Sequence, residues 1–144
     1  MADHLAITSC LNQYCHMVDR GGVDEIVALF AEDAVLLTPY LGNGRCEDRA
    51  AIRAWHEIYD SEIRIGRRHR RHSITVPFIT VDGETPTSDC YLDSSTILTE
   101  PKVINISCGR YDDKLVMVGG TWLFLERIIN IHYIHRIAEF DEPP

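Results

Sequence analysis

Two side chains in the sequence combine acid–base chemistry with positions from which it could be used. His72 begins a segment, through residue 78, in which every second residue after it is apolar, so a strand here carries His72 on its apolar face. Asp19 lies near the end of an N-terminal segment with a helical apolar stripe, just before Gly21-Gly22. A base that removes a carbon-bound proton needs a pKa near the working pH, which histidine provides, and a neighbouring carboxylate stabilises its protonated form.

Both residues also have structural interpretations. Asp19 could be a solvated residue at a helix end, and His72 could be a strand histidine that pairs with a carboxylate for stability alone. A carboxylate at a helix C-terminus opposes the helix dipole, however, so its position gives no stabilising reason for Asp19. The residues by themselves leave the catalytic and the structural interpretation open.

Metal and covalent chemistry receive little support from the sequence. His69-x-x-His72 and His132-x-x-His135 have spacings that occur among zinc ligands. Residues three apart on a strand face opposite sides, so neither pair can chelate one ion without a bulge. The sequence contains no Walker loop, Rossmann glycine fingerprint, Gly-x-Ser-x-Gly elbow or Cys/His nucleophile motif. We therefore expect cofactor-free chemistry with no metal.

The elements that must position these residues divide the chain into a helical first half and a strand-rich second half. Helical periodicity predicts helices over about residues 3–19, 23–30 and 48–63, with a short strand over 34–37. After residue 66 the period becomes two and predicts strands over about 72–78, 87–98, 103–118 and 121–133. Gly21-Gly22 is expected to end the first helix, because glycine adopts the left-handed conformation at little cost.

This order of elements predicts a single α+β domain over residues 1–144. Four long, mostly antiparallel strands form a curved sheet whose concave apolar face must be covered. The three predicted helices are the available cover. Because a curved sheet and straight helices do not meet everywhere, a ligand cavity between them is expected.

Composition narrows the class of protein. The chain is 45% hydrophobic and 25% charged, which is typical of a soluble globular domain, and its net charge of −8 argues against general nucleic-acid binding. The arginine run between Arg64 and Arg71 is interpreted as a solvated strand edge or loop. The five cysteines are odd in number and lack a Cys-x-x-Cys pair, which favours reduced thiols.

Location is predicted from the same data. The N-terminus has no signal-peptide pattern, and no apolar run approaches the roughly 20 residues of a membrane span. A cytoplasmic protein with no membrane partner is expected.

Four segments resemble those of SnoaL-like proteins, within the nuclear transport factor two superfamily. They are the end of the first helix (QYCHMVDRGG), LFAEDAV at 29–35, RH at 71–72 with VDG at 81–83, and GRYDD at 109–113 with GTW at 120–122 and ER at 126–127. The resemblance covers nearly the whole chain in order, although Cys46 stands where many relatives have glycine. It implies a cone-shaped α+β barrel with a curved, mostly antiparallel sheet wrapped around three N-terminal helices.

The superfamily includes scytalone dehydratase, bile acid dehydratase and hexachlorocyclohexane dehydrochlorinase, and the resemblance implies roles for three residues. His72 would act as the base, and Asp19 would orient and charge it. Tyr14, about 140° around the helix from Asp19, would hold a leaving or carbonyl oxygen. Tyr14 is equally interpretable as a core aromatic residue in the apolar stripe.

Other residues are candidate substrate contacts. Trp55, Tyr59 and Phe78 are interpreted as pocket wall or core, and they suit a flat, partly aromatic substrate. Asp93 lies on a polar strand face that is either solvent-facing or the wet part of the pocket. Asn130 and His132 share a predicted face with Trp122 and Phe124 and could orient substrate.

Two functions follow as expectations. The first is a cofactor-independent lyase or isomerase, of the dehydratase or cyclase type, for a small, largely apolar cyclic metabolite. The second is a non-catalytic small-molecule-binding or assembly domain of the same fold, which would need no paired histidine and carboxylate. By resemblance, a homo-oligomer (a dimer or trimer) is expected in either case.

Overall fold

The computed structural model describes residues 2–40, 42–83 and 85–142. The described residues form three α-helices, α1 (Ala2–Arg20), α2 (Val23–Val27) and α3 (Asp48–Ile58), and α3 continues into a π-helical turn (Tyr59–Ile63). The six strands are β1 (Phe30–Leu37), β2 (Arg45–Glu47), β3 (Arg67–Thr80), β4 (Thr87–Thr99), β5 (Lys102–Val118) and β6 (Thr121–Ile137). Within these residues, no helix combines the length and the apolar character that crossing a membrane requires.

One mixed sheet joins the six strands in the order β2-β1-β6-β5-β4-β3. All neighbouring strands are antiparallel except β1 and β6, which run parallel. The sheet is not closed, because β2 and β3 form its two edges. The predicted α+β architecture, a curved sheet around N-terminal helices, is therefore confirmed.

The first helix packs its apolar stripe against the inner face of the sheet, where it contacts β3 and β6. The buried residues of the stripe recur at intervals of three and four: Ile7, Cys10, Leu11, Tyr14, Cys15 and Val18. Burial of each large apolar side chain stabilises the fold by about 1.5–3 kcal/mol. This packing fixes the rotation of α1 and hence the direction in which Asp19 points.

The helix ends at Arg20, as predicted, but the expected reason is wrong. The left-handed glycines of the described chain are at positions 44, 66, 83, 119 and 120, and Gly21 is not among them. A Cβ at Gly21 would lie 2.8 Å from the Met17 sulfur and 2.9 Å from the Met17 Cα. Glycine is therefore required by lack of space, since the chain turns tightly at the end of α1.

Strand pairing overrides the helical pattern after α2. The helix predicted over 23–30 ends at Val27, and β1 begins at Phe30 instead of Ala34. Phe30 pairs with Phe124 of β6, whose backbone N–H donates to the Leu29 carbonyl over 2.8 Å. The three-residue β2, which pairs with β1, was not predicted because it is too short to show an alternating pattern.

Two bulges in β3 change which side chains face inward. The register shifts between Arg68 and Arg71 and again between Thr75 and Phe78, and the backbones of His69 and Val76 both have φ of 52°. Each bulge inserts an extra residue and reverses the alternation.

The same occurs twice in β6, where Leu125 and His132 have no register partner on β5. Gly109 accommodates the bulge at His132, because a Cβ there would lie 1.9 Å from the Asn130 carbonyl oxygen. Before the bulge at Leu125, even-numbered residues such as Phe124 face inward. After it, the odd-numbered residues do.

Candidate active site

Asp19 and His72 meet where the last turn of α1 crosses β3. The Nδ1 atom of His72 lies 2.6 Å from Oδ1 of Asp19, and the backbone N–H of His72 donates to Oδ2 over 2.9 Å. The side chain of His72 is 17% exposed and that of Asp19 is 14% exposed. The fold therefore joins residues 53 positions apart into a two-point contact.

The charge state of Asp19 determines the tautomer of His72. Burial alone raises the pKa of Asp19, but the two hydrogen bonds from His72 and the charges of His72 and Arg70 outweigh it. The net pKa lies below the ordinary value, so the carboxylate is ionised at neutral pH and can only accept hydrogen bonds. Nδ1 of His72 must then carry the hydrogen, which leaves the lone pair on Nε2 available as a base.

Arginine side chains hold the end of α1 in place. The Nε atom of Arg70 donates to the backbone carbonyl of Asp19 over 3.0 Å, and Nη2 of the same side chain donates to the same oxygen. Nη1 of Arg64 donates to the Gly21 carbonyl over 2.9 Å. These bonds satisfy carbonyls that a helix C-terminus leaves unpaired, so β3 fixes both the backbone and the side chain of Asp19.

A pocket of about 290 Å³ lies between the inner face of the sheet and the helices. Of the predicted residues, His72, Tyr14, Trp55 and Tyr59 line it. The other lining residues are Val18, Thr38, Tyr40, His56, Ile63, Arg67, Arg70, Leu92, Ser94, Ser95, Thr96, Asn105, Ser107, Tyr111, Ile129, Ile131, Ile134 and Arg136. The volume suits a small organic molecule.

Tyr14 is both a core aromatic residue and part of the pocket wall. Its ring stacks on the Arg127 guanidinium, whose carbon lies 4.1 Å from the ring centroid, and it meets Tyr111 and Phe124 edge-on. Burial raises the pKa of the Tyr14 hydroxyl far above its ordinary value, and the charge of Arg127 offsets only part of this. The hydroxyl therefore stays protonated and can donate a hydrogen bond.

Two aromatic side chains form another wall. The rings of Trp55 and Tyr59 lie 6.0 Å apart, and Tyr59 begins the π-helical turn that ends at Ile63. A π-helical turn widens a helix locally and occurs often at functional sites. Here it places Tyr59 and Ile63 together against the pocket.

Phe78 and Asp93 lie outside the pocket. The bulge between Thr75 and Phe78 leaves Phe78 73% exposed, so the prediction that it shares the inner face with His72 is wrong. Asp93 is exposed on the outer face of β4, opposite Ser73. Of the two environments considered for Asp93, the structure shows the solvent-facing one.

Asn130 and His132 also do not reach the pocket. The bulge at Leu125 places Asn130 on the outer face, where its Nδ2 donates to Oδ2 of Asp112 over 2.7 Å. His132 is itself the extra residue of the second bulge and is exposed. The prediction that these two share a face with Phe124 assumed unbroken alternation along β6, and each bulge breaks it.

Histidine 56 is a pocket residue that the sequence analysis missed. Its Nδ1 donates to the Ile52 carbonyl over 2.9 Å, which leaves Nε2 as an acceptor. Burial lowers its pKa, and this hydrogen bond offsets only part of the effect, so the ring is neutral at physiological pH. In the sequence, its position four residues after Ile52 on an apolar helix face was the available signal.

A second group of missed residues comes from polar positions within strands and from the arginine run. Asn105 and Ser107 alternate with apolar residues within the stretch 103–108 (VINISC), which indicates a polar patch on a concealed face. Arg67 and Arg70 were interpreted as solvated, but the bulge at His69 turns both side chains into the pocket. Within the described residues, no group of three or more His, Cys, Asp or Glu side chains is placed to hold a metal ion.

Comparisons with known proteins agree with this architecture. The family model for the SnoaL-like domain matches residues 1–128, and no curated protein matches the chain. A crystal structure from Novosphingobium aromaticivorans, named as a candidate scytalone dehydratase, is 21% identical with a TM-score of 0.81; the match covers 93% of this chain and 87% of that one.

Two further structures show the range of proteins with this fold. A hexachlorocyclohexane dehydrochlorinase, LinA-type3, from Novosphingobium barchaimii LL02 is 14% identical over 99% of this chain and 95% of its own, with a TM-score of 0.83. A Mycobacterium tuberculosis protein of unknown function is 23% identical over 90% and 76%, with a TM-score of 0.71. At these identities the structures establish the fold alone. Because the family model spans most of the chain, the protein belongs to the SnoaL-like domain family.

Proposed function

We propose that the protein is a cofactor-independent lyase or isomerase that acts on a small cyclic metabolite, with His72 as its base. The observation that carries the proposal is the 2.6 Å contact between His72 Nδ1 and Asp19 Oδ1 at the wall of a 290 Å³ pocket. A binding-only module has no need of a histidine and a carboxylate paired in this way. The pairing supports catalysis because it prepares Nε2 of His72 to accept a proton.

The proposed reaction begins with proton removal. Nε2 of His72 takes a proton from a carbon beside a carbonyl or a leaving group, and Asp19 stabilises the positive charge that forms on the ring. In a dehydration, the C–H electron pair forms the new double bond while the C–O bond breaks. The departing oxygen takes up the proton that His72 Nε2 removed, so that water leaves and the imidazole is neutral again. In an isomerisation, the enolate is reprotonated at another carbon.

Tyr14 is proposed to stabilise the oxygen on which charge develops. Its hydroxyl remains protonated because burial raises its pKa, so it can donate a hydrogen bond to a departing or enolising oxygen. Nearby lining residues are apolar or aromatic, among them Leu92, Tyr111 and Ile131. Such surroundings exclude water and strengthen the interactions between charges inside the pocket.

Turnover of hydroxylated cyclic ketones tests the proposal. We expect His72→Asn to reduce turnover by about 10²–10⁴-fold, the usual contribution of a general base. His69→Asn is a matched control, since His69 lies on the same strand but is exposed. Equal turnover by wild type, His72→Asn and Asp19→Asn would remove the pair from the mechanism and leave a non-catalytic binding domain as the better account.

The proposal includes a homo-oligomer, a dimer or trimer. Large apolar side chains are exposed along β3, β4, β5 and β6: Val76, Phe78, Tyr91, Met117, Val118 and Tyr133. Exposed apolar surface is typical of an interface where such side chains adjoin, as Val76, Phe78 and Tyr91 do on the paired strands β3 and β4. Light scattering coupled to size exclusion would measure a mass two or three times the 16.4 kDa of the chain, whereas a monomeric mass would refute this part of the proposal.

A further inference from the structure

Three positive side chains line the pocket, and of these only Arg70 has a described carboxylate near it, that of Asp19. The three are Arg67, Arg70 and Arg136, and no described Asp or Glu is among the lining residues. The whole chain, in contrast, has a net charge of −8. The electrostatic character of the pocket is therefore opposite to that of the protein.

These three arginines differ from most others in the chain. In the part of the chain that the structure describes, seven arginines lie within 4.0 Å of a carboxylate: Arg45, Arg49, Arg53, Arg64, Arg68, Arg110 and Arg127. The pocket arginines instead donate to neutral oxygens. The Nε of Arg67 donates to the Ile63 carbonyl over 2.8 Å, and the Nε of Arg136 donates to Oδ1 of Asn105 over 3.2 Å. Among the described residues, the Nη groups of both side chains lack a partner, so they are available to a ligand.

The register of the sheet places these groups in rows. His72, Ser94, Ser107 and Ile134 lie side by side on four adjacent strands. Two residues further along, Thr96, Asn105 and Arg136 form the next row, and Arg70 lies in the bulge beside it. The two rows lie about 7 Å apart along the strands, and Arg136 is also three strands, about 14 Å of backbone, from His72.

On the other side of the His72 row the pocket is apolar. Leu92 lies two residues before Ser94 on β4. Ile131 lies before Ile134 on β6, on the other side of the bulge at His132. Both residues line the pocket. Leu92 is buried, whereas Arg136 is exposed. Polarity therefore rises along the strands from an apolar floor, through the His72 row, to arginines at the mouth.

We propose that the substrate is a cyclic or aromatic compound that carries a carboxylate on the side turned away from the apolar floor, toward the arginines at the mouth of the pocket. This inference rests on the proposed function and replaces the largely apolar substrate expected from the sequence. The ring occupies the apolar floor, and the carboxylate accepts hydrogen bonds from Arg136 and Arg67. A guanidinium fork matches two carboxylate oxygens, and the bond from Asn105 orients the Arg136 fork.

Binding of matched acid and amide probes tests this inference. Calorimetry at pH 7 would compare 2-naphthoate with 2-naphthamide, which have nearly the same shape but differ in charge. We expect the acid to bind about 10-fold or more tightly than the amide, since one charge-assisted hydrogen bond accounts for such a ratio. The preference should decrease in 1 M salt, because the mouth of the pocket is open to solvent.

Variants assign the preference to the pocket arginines. Arg136→Gln and Arg67→Gln should each remove most of the preference for the acid, and Arg136→Lys should retain part of it. Arg71→Gln is the matched control, because Arg71 lies on β3, like Arg67, but is exposed outside the pocket. Circular dichroism of each variant establishes that it is folded.

Three results would overturn the inference: equal affinity for acid and amide, no measurable binding of the acid, or the same loss of preference in Arg71→Gln. The outcome is separable from that of the proposed function. His72→Asn should still prefer the acid if the arginines bind it, even though turnover is lost. Acid preference without any turnover by wild type would instead refute the lyase and keep the anion site.

Discussion

Two carboxylates in the molecule each pair with a basic side chain, one in the core and one at the wall of the pocket. In the core, Arg127 donates to both carboxylate oxygens of Asp113 over 2.7 and 2.8 Å, and both side chains are 0% exposed. The Arg127 guanidinium stacks on Tyr14, Tyr111 and Phe124, with its carbon 4.0–4.2 Å from each ring centroid. The Asp19–His72 pair, in contrast, keeps some exposure, 17% for His72 and 14% for Asp19, and His72 borders the pocket.

The difference lies in which cation can release its proton. Burial alone lowers the pKa of Arg127, but the ion pair with Asp113 outweighs it, and the net pKa lies above the already high ordinary value. That guanidinium stays charged at every accessible pH and holds the strands together. In the proposed mechanism the partner of Asp19 is instead an imidazole, a group that can take up and release a proton. Access to the cavity and an exchangeable proton distinguish the proposed catalytic pair from the structural one.

Loss of the core carboxylate is expected to have the largest effect. Asp113→Asn leaves the Arg127 charge buried without a counter-charge, which should destabilise the fold by about 3–5 kcal/mol. Urea unfolding measures the free energy directly. Equal destabilisation by Asp113→Asn and Asp19→Asn would contradict the distinction between the two pairs.

Asp19→Asn should act mainly on activity. The amide keeps the shape of the carboxylate but removes the charge that stabilises protonated His72, a loss of about 1.5–3 kcal/mol in the transition state. Turnover should therefore fall about 10–150-fold, with a smaller change in unfolding free energy than Asp113→Asn produces. A loss of unfolding free energy as large as the loss of transition-state stabilisation would indicate a structural role for Asp19.

The pH dependence of stability should show a smaller effect. The folded-state pKa of Asp19 is lowered, so its contribution to stability is complete above the unfolded-state pKa and is lost as pH falls through the folded-state value. Wild type should thus be more stable than Asp19→Asn at pH 7, and the difference should shrink below about pH 4. Unfolding free energies at pH 7 and pH 3 check this, and a difference that grows on acidification would contradict it.

The smallest effects are expected at residues of the outer face. Asp93→Asn and His132→Asn change exposed side chains, so each should alter the unfolding free energy by no more than about 0.5 kcal/mol and leave turnover unchanged. A large loss of turnover in either variant would place the functional surface outside the pocket.

The features that could be predicted from the sequence are those with local signals. The apolar stripe of α1 predicts that Tyr14 is buried. The pairing of Asp19 with His72 could be predicted only from the resemblance to family motifs, because the two residues are far apart in the sequence. Periodicity alone could not place Asn130 or Phe78, because a single bulge reverses every later side chain. The arginine run was misjudged for the same reason, since two of its members turn inward at His69.

The central claim is that His72 removes a proton from carbon, and hydrogen–deuterium exchange tests it without requiring elimination. Cyclic ketones, including 2-tetralone, would be incubated with enzyme in D₂O while proton NMR follows the loss of the signal from the carbon beside the carbonyl. We expect wild type and His69→Asn to accelerate exchange equally and His72→Asn to leave the buffer rate unchanged. Acceleration by His72→Asn as large as that by wild type would contradict the account.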